Sequence, residues 1–211
     1  MGKGLIDVGT DHGYLPAALA LKGYPGALYA SDINADPLAA AKKTAALAGV
    51  SDQIHFLHCD GLKLCPPDAV DTIVIAGMGG DLIIRILDEA EWCMDSRYRL
   101  ILQPMTKPEV VRYWLVYNEF GIESETLVED GGILYQIITA VFGGRTTLND
   151  AELFVGKRSL ASDQALYDRM LNIEYSRFTR AVSGMSAGVR DARLPLYRQI
   201  LDQLSEMRGN T

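Results

Sequence analysis

Three aspartates, Asp7, Asp32 and Asp60, each close a short apolar run and open a turn. The first turn reads Asp7-Val8-Gly9-Thr10-Asp11-His12-Gly13, and its glycines let the backbone come close to a ligand. Asp32 stands 23 residues after Gly9, where an acidic side chain can accept hydrogen bonds from both hydroxyls of a ribose. Asp60, followed by Gly61, is placed to meet the amino group of an adenine. One such aspartate could simply cap a helix after an ordinary strand–helix turn. Three at successive strand ends build a nucleoside pocket. Together with Gly9, Thr10, Asp11, Gly13, Ile33, Gly61 and Ala76 they form the candidate cofactor-binding set.

The first turn is not the dinucleotide fingerprint G-x-G-x-x-G. Asp11 occupies the middle glycine position and would face a pyrophosphate as an unpaired like charge, which disfavours a nicotinamide-dependent oxidoreductase. A carboxylate suits a cationic ligand instead. S-adenosylmethionine carries a sulfonium and an ammonium and no phosphate. A second glycine-rich turn, Ala76-Gly77-Met78-Gly79-Gly80, lacks the Asn/Asp-Pro-Pro-aromatic group usual in enzymes that methylate an exocyclic base nitrogen. A shelf of glycines leaves room for a flat base, and the polarisable thioether of Met78 could pack against it. The plainer alternative is a tight turn before a helix. Cys59, Cys65 and Cys93 are odd in number and contain no CxxC pair. They point to reduced thiols in a cytoplasm, with no disulfide framework and no metal site.

Strands and helices must hold these turns. Apolar runs predict strands at Leu5–Val8, Ala27–Ser31, Ile54–His58, Thr72–Ala76 and Leu100–Leu102. Helices are predicted at Tyr14–Leu21, Asp36–Leu47, Leu82–Trp92 and Glu109–Phe120, the second ending at Gly49 and the last at Gly121. Glu123–Glu129 and Leu134–Phe142 flank Asp130-Gly131-Gly132 as an antiparallel pair at a sheet edge. The result is an α/β fold: an open, mostly parallel sheet with helices on both faces and ligands at the carboxyl ends of its strands. After a polar break at 144–150, Leu166, Met170 and Ile173, then Leu194, Tyr197, Leu201 and Leu204, fall at seam spacings for an αα-hairpin. Its helices are predicted at about 160–183 and 191–208, separated by Ser183–Gly184 and Gly188. Tyr113, Trp114 and Tyr117 read as core and helix face, not as a base-stacking platform.

The chain has 211 residues, 48% hydrophobic and 22% charged, enough for one α/β domain and an appendage. No apolar run approaches the roughly 18 residues of a membrane span, and the start lacks the apolar core of a signal peptide. The net charge of −7 hides a split. Residues 1–150 balance at −9, whereas 151–211 balance at +2, with eight of nine cations arginine. An acidic body with an arginine-rich tail can hold a polyanion by the tail, and a solvated helical face with mixed charge is equally common. Arg169, Arg177 and Arg180, with Arg190, Arg193 and Arg198, include residues that must point outward.

The two glycine-rich motifs, Asp7-Val8-Gly9-Thr10-Asp11-His12-Gly13-Tyr14-Leu15-Pro16 and Ile75-Ala76-Gly77-Met78-Gly79-Gly80, with Leu102-Gln103-Pro104-Met105 and the helical tail, resemble the bacterial tRNA (adenine-22-N1)-methyltransferases. The resemblance spans almost the whole chain. It implies a Rossmann-like class I methyltransferase domain over 1–150 and a hairpin over 151–211 that helps to hold tRNA. It implies S-adenosylmethionine as cofactor, tRNA as partner, and neither metal nor membrane. A monomer or weak homodimer in the cytoplasm is expected. Family members carry a helical stretch ahead of the first strand that helps cover the cofactor. Here the strand begins by residue 5, so either the start is truncated or the pocket is more open than usual.

On this reading the candidate catalytic set is Gly77, Met78, Gly79 and Gly80 as the floor of the base pocket, Gln103 on its wall and His12 at its mouth. His12 either bonds a phosphate or the base, or is a satisfied loop histidine. Adenine N1 has an in-plane lone pair and needs no base to become a nucleophile. The competing reading is a non-catalytic nucleic-acid-binding module that keeps the fold. A small-molecule methyltransferase would leave the basic hairpin without a role.

Overall fold

Every residue of the first strand, β1 (Gly4–Val8), is buried, as a strand covered on both faces must be. The computed structural model describes residues 3–186 and 191–209. β1 is followed by α1 (Tyr14–Leu21), β2 (Ala27–Asp32), α2 (Ala35–Leu47), β3 (Ile54–His58), β4 (Thr72–Gly79) and α3 (Gly80–Asp88). Then come β5 (Arg99–Thr106), α4 (Pro108–Tyr117), β6 (Phe120–Asp130), β7 (Ile133–Phe142), α5 (Asp150–Val155), α6 (Gln164–Ser186) and α7 (Leu194–Gly209). The seven strands lie in the order β3-β2-β1-β4-β5-β7-β6. β7 runs antiparallel to both neighbours, and the pairings among β1–β5 are parallel. The chain moves outward from β1 to β3 and then returns to β4 on the other side of β1. The crevice at that reversal, above β1 and β4, is where such sheets take ligands.

Strand alternation divides the core. Ile6, Val8, Ile73, Ile75, Leu100 and Leu102 pack with Ile83, Leu87, Val111 and Leu115 of α3 and α4. Leu5, Leu28, Ala30 and Val74 pack with Ala17, Ala20 and Ala45 of α1 and α2. On the α1 side a hollow of about 550 Å³ opens between Leu15 and Leu19 of α1 and Ala76, Ile101, Gln103 and Tyr135 of the sheet.

Several predicted boundaries shift. β4 and β5 extend to Gly79 and Thr106, not Ala76 and Leu102, because backbone pairing continues past the apolar pattern, with irregularities at Met78. α3 therefore begins at Gly80, and Trp92 lies in a separate short turn. α4 stops at Tyr117. Glu119, at φ 61°, turns the chain, and Gly121 lies within β6 where the Gly144 backbone crosses it closely. Trp114 is core, while Tyr113 and Tyr117 stack on each other outside. α5 was not anticipated, although Asn149 and Glu152 form a reciprocal capping box at its start.

The tail packs directly on the sheet. Tyr167, Met170, Leu171 and Phe178 of α6 meet Ile200 and Leu204 of α7 and Leu127 of β6. Ile173, expected on the seam, is 49% exposed, because the buried stripe passes through Leu171 and Phe178 instead. α6 continues through Ser183–Gly184, where a break was expected. Gly188 and Arg190 lie outside the described residues. Arg112, fully buried, ties α4 to α5 and the sheet edge. It donates to the Glu125 carboxylate, the Gln136 side chain and the Leu153 and Phe154 carbonyls.

Candidate active site

The β1 turn is held by backbone geometry. Gly9 and Thr10 both donate their N–H to the Ser31 carbonyl, at 2.8 and 2.9 Å. Gly9, Asp11 and Gly13 take left-handed conformations at φ 71°, 49° and 66°. At Gly13 the absent side chain also lets Ala41 of α2 approach, since a Cβ would sit 2.8 Å from the Ala41 methyl.

Asp7 and Asp32 lie beneath it. Asp7 is buried and accepts the Thr10 hydroxyl at 2.6 Å. Burial pushes its carboxyl up from an ordinary 3.8 to about 6; the Thr10 hydroxyl opposes this and the neighbouring Asp32 charge adds to it. Asp32 is 8% exposed and accepts the Asn34 amide at 2.8 Å and the Asp11 amide at 3.4 Å. Its oxygens retain further acceptor positions. Ile33 beside it is 56% exposed, an apolar face at the lip of the crevice. The Ile33 carbonyl is taken by His58 Nε2 at 3.0 Å.

Asp60 is less free than its position in the sequence suggested. Arg85 of α3 grips both its oxygens, at 2.9 and 3.1 Å, and Lys63 adds a third contact at 2.8 Å. Hydrogen bonds from Arg85 and then Lys63 hold its carboxyl well below the ordinary carboxylate range. The separation of 25 positions between Asp60 and Arg85 hides this partnership from sequence reading.

The glycine shelf has two parts. Gly77, at φ 74°, faces open space, and its N–H is fixed by Gln103 Oε1 at 2.8 Å. Gln103 Nε2 rests 3.5 Å from Met105 Sδ. Gly79 and Gly80 instead lie beneath the β5–α4 loop. A Cβ at Gly79 would sit 3.1 Å from Thr106 Oγ1, and one at Gly80 would sit 2.6 Å from the Lys107 carbonyl. Their lack of side chains therefore serves packing, and open floor is found at Gly77. Lys107 itself, left-handed at φ 56°, reaches Asp81 at 2.5 Å. Sequence reading missed this loop because Thr106 and Lys107 follow the apolar run of β5 with no motif of their own.

Met78 joins the two parts. A Cβ on Gly9 would meet the Met78 methyl at 2.2 Å, so the thioether lies directly over the β1 turn. His12 stays at the mouth, its ring half-exposed, stacked on Tyr14 and 3.7 Å from the Asp11 carboxylate. Cys65 and Cys93 are buried, and burial pushes both thiols up to about 12, so neither is poised as a nucleophile. Among the described residues no helix is long and apolar enough to cross a membrane.

Gly77 supplies a direct test of the shelf. A leucine there must hold a left-handed backbone, costing roughly 1–2 kcal/mol, and would fill the open space above the floor. Catalytic turnover is expected to fall by roughly tenfold or more, with ligand binding at Asp32 retained. Steady-state kinetics beside calorimetry would check it, and wild-type turnover would place the reacting group elsewhere.

Comparison with known proteins agrees with this geometry. Residues 1–138 match the family model described as a methyltransferase domain. The tRNA (adenine(22)-N(1))-methyltransferase of Bacillus subtilis (strain 168) is 32% identical over 149 residues, 71% of this chain and 63% of that protein. The match thus spans less than two thirds of that relative's length. The crystal structure of the B. subtilis m1A22 tRNA methyltransferase TrmK superposes with a TM-score of 0.79 at 26% identity, covering 98% of this chain and 89% of that one. A Streptococcus pneumoniae protein solved in complex with S-adenosyl-L-methionine gives 0.80 at 27% identity, covering 97% and 91%. The match over residues 1–138 places the chain in the methyltransferase-domain family.

Proposed function

We propose that the protein transfers a methyl group from S-adenosylmethionine to N1 of an adenine in tRNA, at position 22 by likeness to the B. subtilis relative. The observation that carries this reading is the join at Met78. Its methyl lies against Gly9, so the turn that carries the open Gly77 abuts the β1 turn above Asp7 and Asp32, which supports a nucleoside cofactor beside a flat base.

S-adenosylmethionine supplies an electrophilic methyl group on a sulfonium, open to in-line displacement. Positioning then provides much of the catalysis. Asp32 has acceptor positions for ribose hydroxyls, and Asp7 offers buried negative charge to a cation. The Gln103 contact holds Gly77 in its left-handed turn, so the floor remains open to the incoming ring. A base stacked within tRNA must first be extruded, at a few kcal/mol. The amino-group proton of the methylated ring can leave to water, so no side chain is assigned as general base. The site of action on this reading is the cytoplasm.

The cofactor reading gives Asp7 a pH signature. Its folded-state pKa of about 6 lies above the ordinary 3.8. The stability this group contributes is therefore present at low pH and lost as pH rises through about 6. Binding of a cation runs the opposite way, because only the ionised carboxylate attracts it. S-adenosylmethionine affinity is expected to fall as pH drops below about 6, and Asp7→Asn should flatten that dependence. Calorimetry across pH 5–8 checks both, and a flat wild-type profile would remove Asp7 from the site.

The hairpin is proposed to steady the RNA, but few of its arginines are uncommitted. Arg158 pairs with Asp168, Arg169 with Glu129, Arg177 with Glu174 and Arg193 with Asp191. Among the described residues Arg180 and Arg198 are exposed without a carboxylate partner. Reversing both charges, Arg180→Glu with Arg198→Glu, should weaken tRNA binding and leave cofactor affinity unchanged. The slope of log affinity against log salt should fall by about 1–2. An unchanged slope would exclude this face. The reaction itself is tested with unmodified tRNA transcripts: methyl incorporation should vanish when adenine 22 is replaced by guanine. Equal incorporation into both would refute the assigned position.

A further inference from the structure

Asp60, Arg85, Glu89 and Lys63 close a ring of alternating charge at the carboxyl end of β3. Arg85 Nη2 donates to Asp60 Oδ1 at 2.9 Å and Nη1 to Oδ2 at 3.1 Å. Lys63 Nζ donates to Oδ2 at 2.8 Å. Glu89 completes the ring, with Arg85 at 3.0 Å and Lys63 at 3.1 Å. The turn beneath is constrained as well. Gly61 is left-handed at φ 57°, and a Cβ there would sit 3.1 Å from Ile86, one residue beyond Arg85 on α3. Cys59, on the other side of Asp60, donates its amide to the Asp32 carbonyl at 3.0 Å. The carboxylate of Asp60 is thus held by two cationic side chains on a constrained turn, beside the residue expected to hold the ribose.

Exposed ion pairs taken singly contribute little to stability. A fork that grips both oxygens does something else: it sets orientation. A carboxylate offers about four acceptor positions. Two cations occupy Oδ2 and one occupies Oδ1, which leaves a single position on Oδ1.

From this geometry we infer that Arg85 is a positioning residue, which orients Asp60 so that one Oδ1 lone pair reads the exocyclic amine of the bound nucleoside. The inference rests on the proposed cofactor reading. Its chemistry is selective. A 6-amino purine brings an N–H donor to the remaining lone pair, whereas a 6-oxo purine brings an oxygen toward an anion that cannot take a proton. The low carboxyl pKa at Asp60, caused first by Arg85, keeps that anion charged. Arg85 touches neither the reacting atoms nor the base floor and acts only through Asp60.

The test compares S-adenosylhomocysteine with its 6-oxo analogue, S-inosylhomocysteine, by calorimetry on the full chain. Wild type should prefer the adenosyl compound. Arg85→Met should weaken that compound by about tenfold or more, the scale of a hydrogen bond to a charged group, while the inosyl compound changes little. Arg85→Lys, which keeps charge but loses the fork, should recover part of the preference. In an Asp60→Asn background Arg85→Met should have little further effect. KM for the cofactor should rise with kcat nearly unchanged. Equal weakening of both compounds, or an undiminished Arg85→Met effect in Asp60→Asn, would show a merely structural role and overturn the inference. Wild-type protein that binds neither compound would instead remove the cofactor reading itself.

Discussion

Arg112→Met is expected to destabilise the fold by about 3–5 kcal/mol, the cost of leaving a buried ionic partner unpaired. Arg112 is fully buried and Glu125 nearly so. The guanidinium donates to the carboxylate, to Gln136 and to the carbonyls of Leu153 and Phe154. Methionine fills much of the same volume but supplies no donor, so one carboxylate, the Gln136 amide oxygen and two backbone carbonyls lose this donor together. Gly156 lies against the same carboxylate, which leaves Glu125 little room to turn toward water. Urea denaturation measures the loss. Replacing both partners, Arg112→Met with Glu125→Leu, should recover a substantial part, because apolar substitutes for a buried pair are often nearly neutral. A loss under 1 kcal/mol in the single variant would mean that this linkage does not hold α5 against the sheet. The same contacts imply that deleting residues 151–211 would damage the remaining domain, so charge reversal at Arg180 and Arg198 is the better probe of the hairpin.

The second large effect is expected at Asp32. Asp32→Ala should weaken S-adenosylhomocysteine binding by about 1.5–3 kcal/mol, the scale for hydrogen bonds to a charged acceptor. That corresponds to roughly 10- to 150-fold in Kd. The variant should still fold, since the Asp11 and Asn34 amides that Asp32 accepts lie in a turn that water can reach. Asp32→Asn, which keeps one acceptor oxygen, should fall between wild type and alanine. Calorimetry with circular dichroism as a fold control checks the series. A folded alanine variant with wild-type affinity would place the nucleoside elsewhere.

Much of the architecture was legible because local pattern and tertiary placement agree. α1 and β3 occur at their predicted residues, and the β6–β7 pair lies at the sheet edge as its Gly131–Gly132 turn implied. Asp7, Asp32 and the glycine turn at Gly9 were candidates from one stretch of chain apiece. What escaped depends on partners distant in sequence. Arg85 meets Asp60 across 25 residues, and Arg112 meets the Phe154 carbonyl across 42. The glycines at 79 and 80 show the same limit. Sequence reading takes a missing side chain as room for a ligand, whereas Thr106 and Lys107 fill that room from the next loop. The hairpin's charge excess conceals a related partnership, since Glu129 of β6 pairs with Arg169 from outside the tail.

The most direct measurement of the central claim is nucleoside mass spectrometry of unmodified tRNA incubated with the protein and methyl-labelled S-adenosylmethionine. The account predicts labelled 1-methyladenosine as the product, formed by wild type, reduced by roughly tenfold or more in Gly77→Leu and strongly reduced in Asp32→Ala at limiting cofactor. Labelled tRNA whose methyl group lies on another base or atom, or tRNA left unlabelled by a protein that binds both partners, would contradict it.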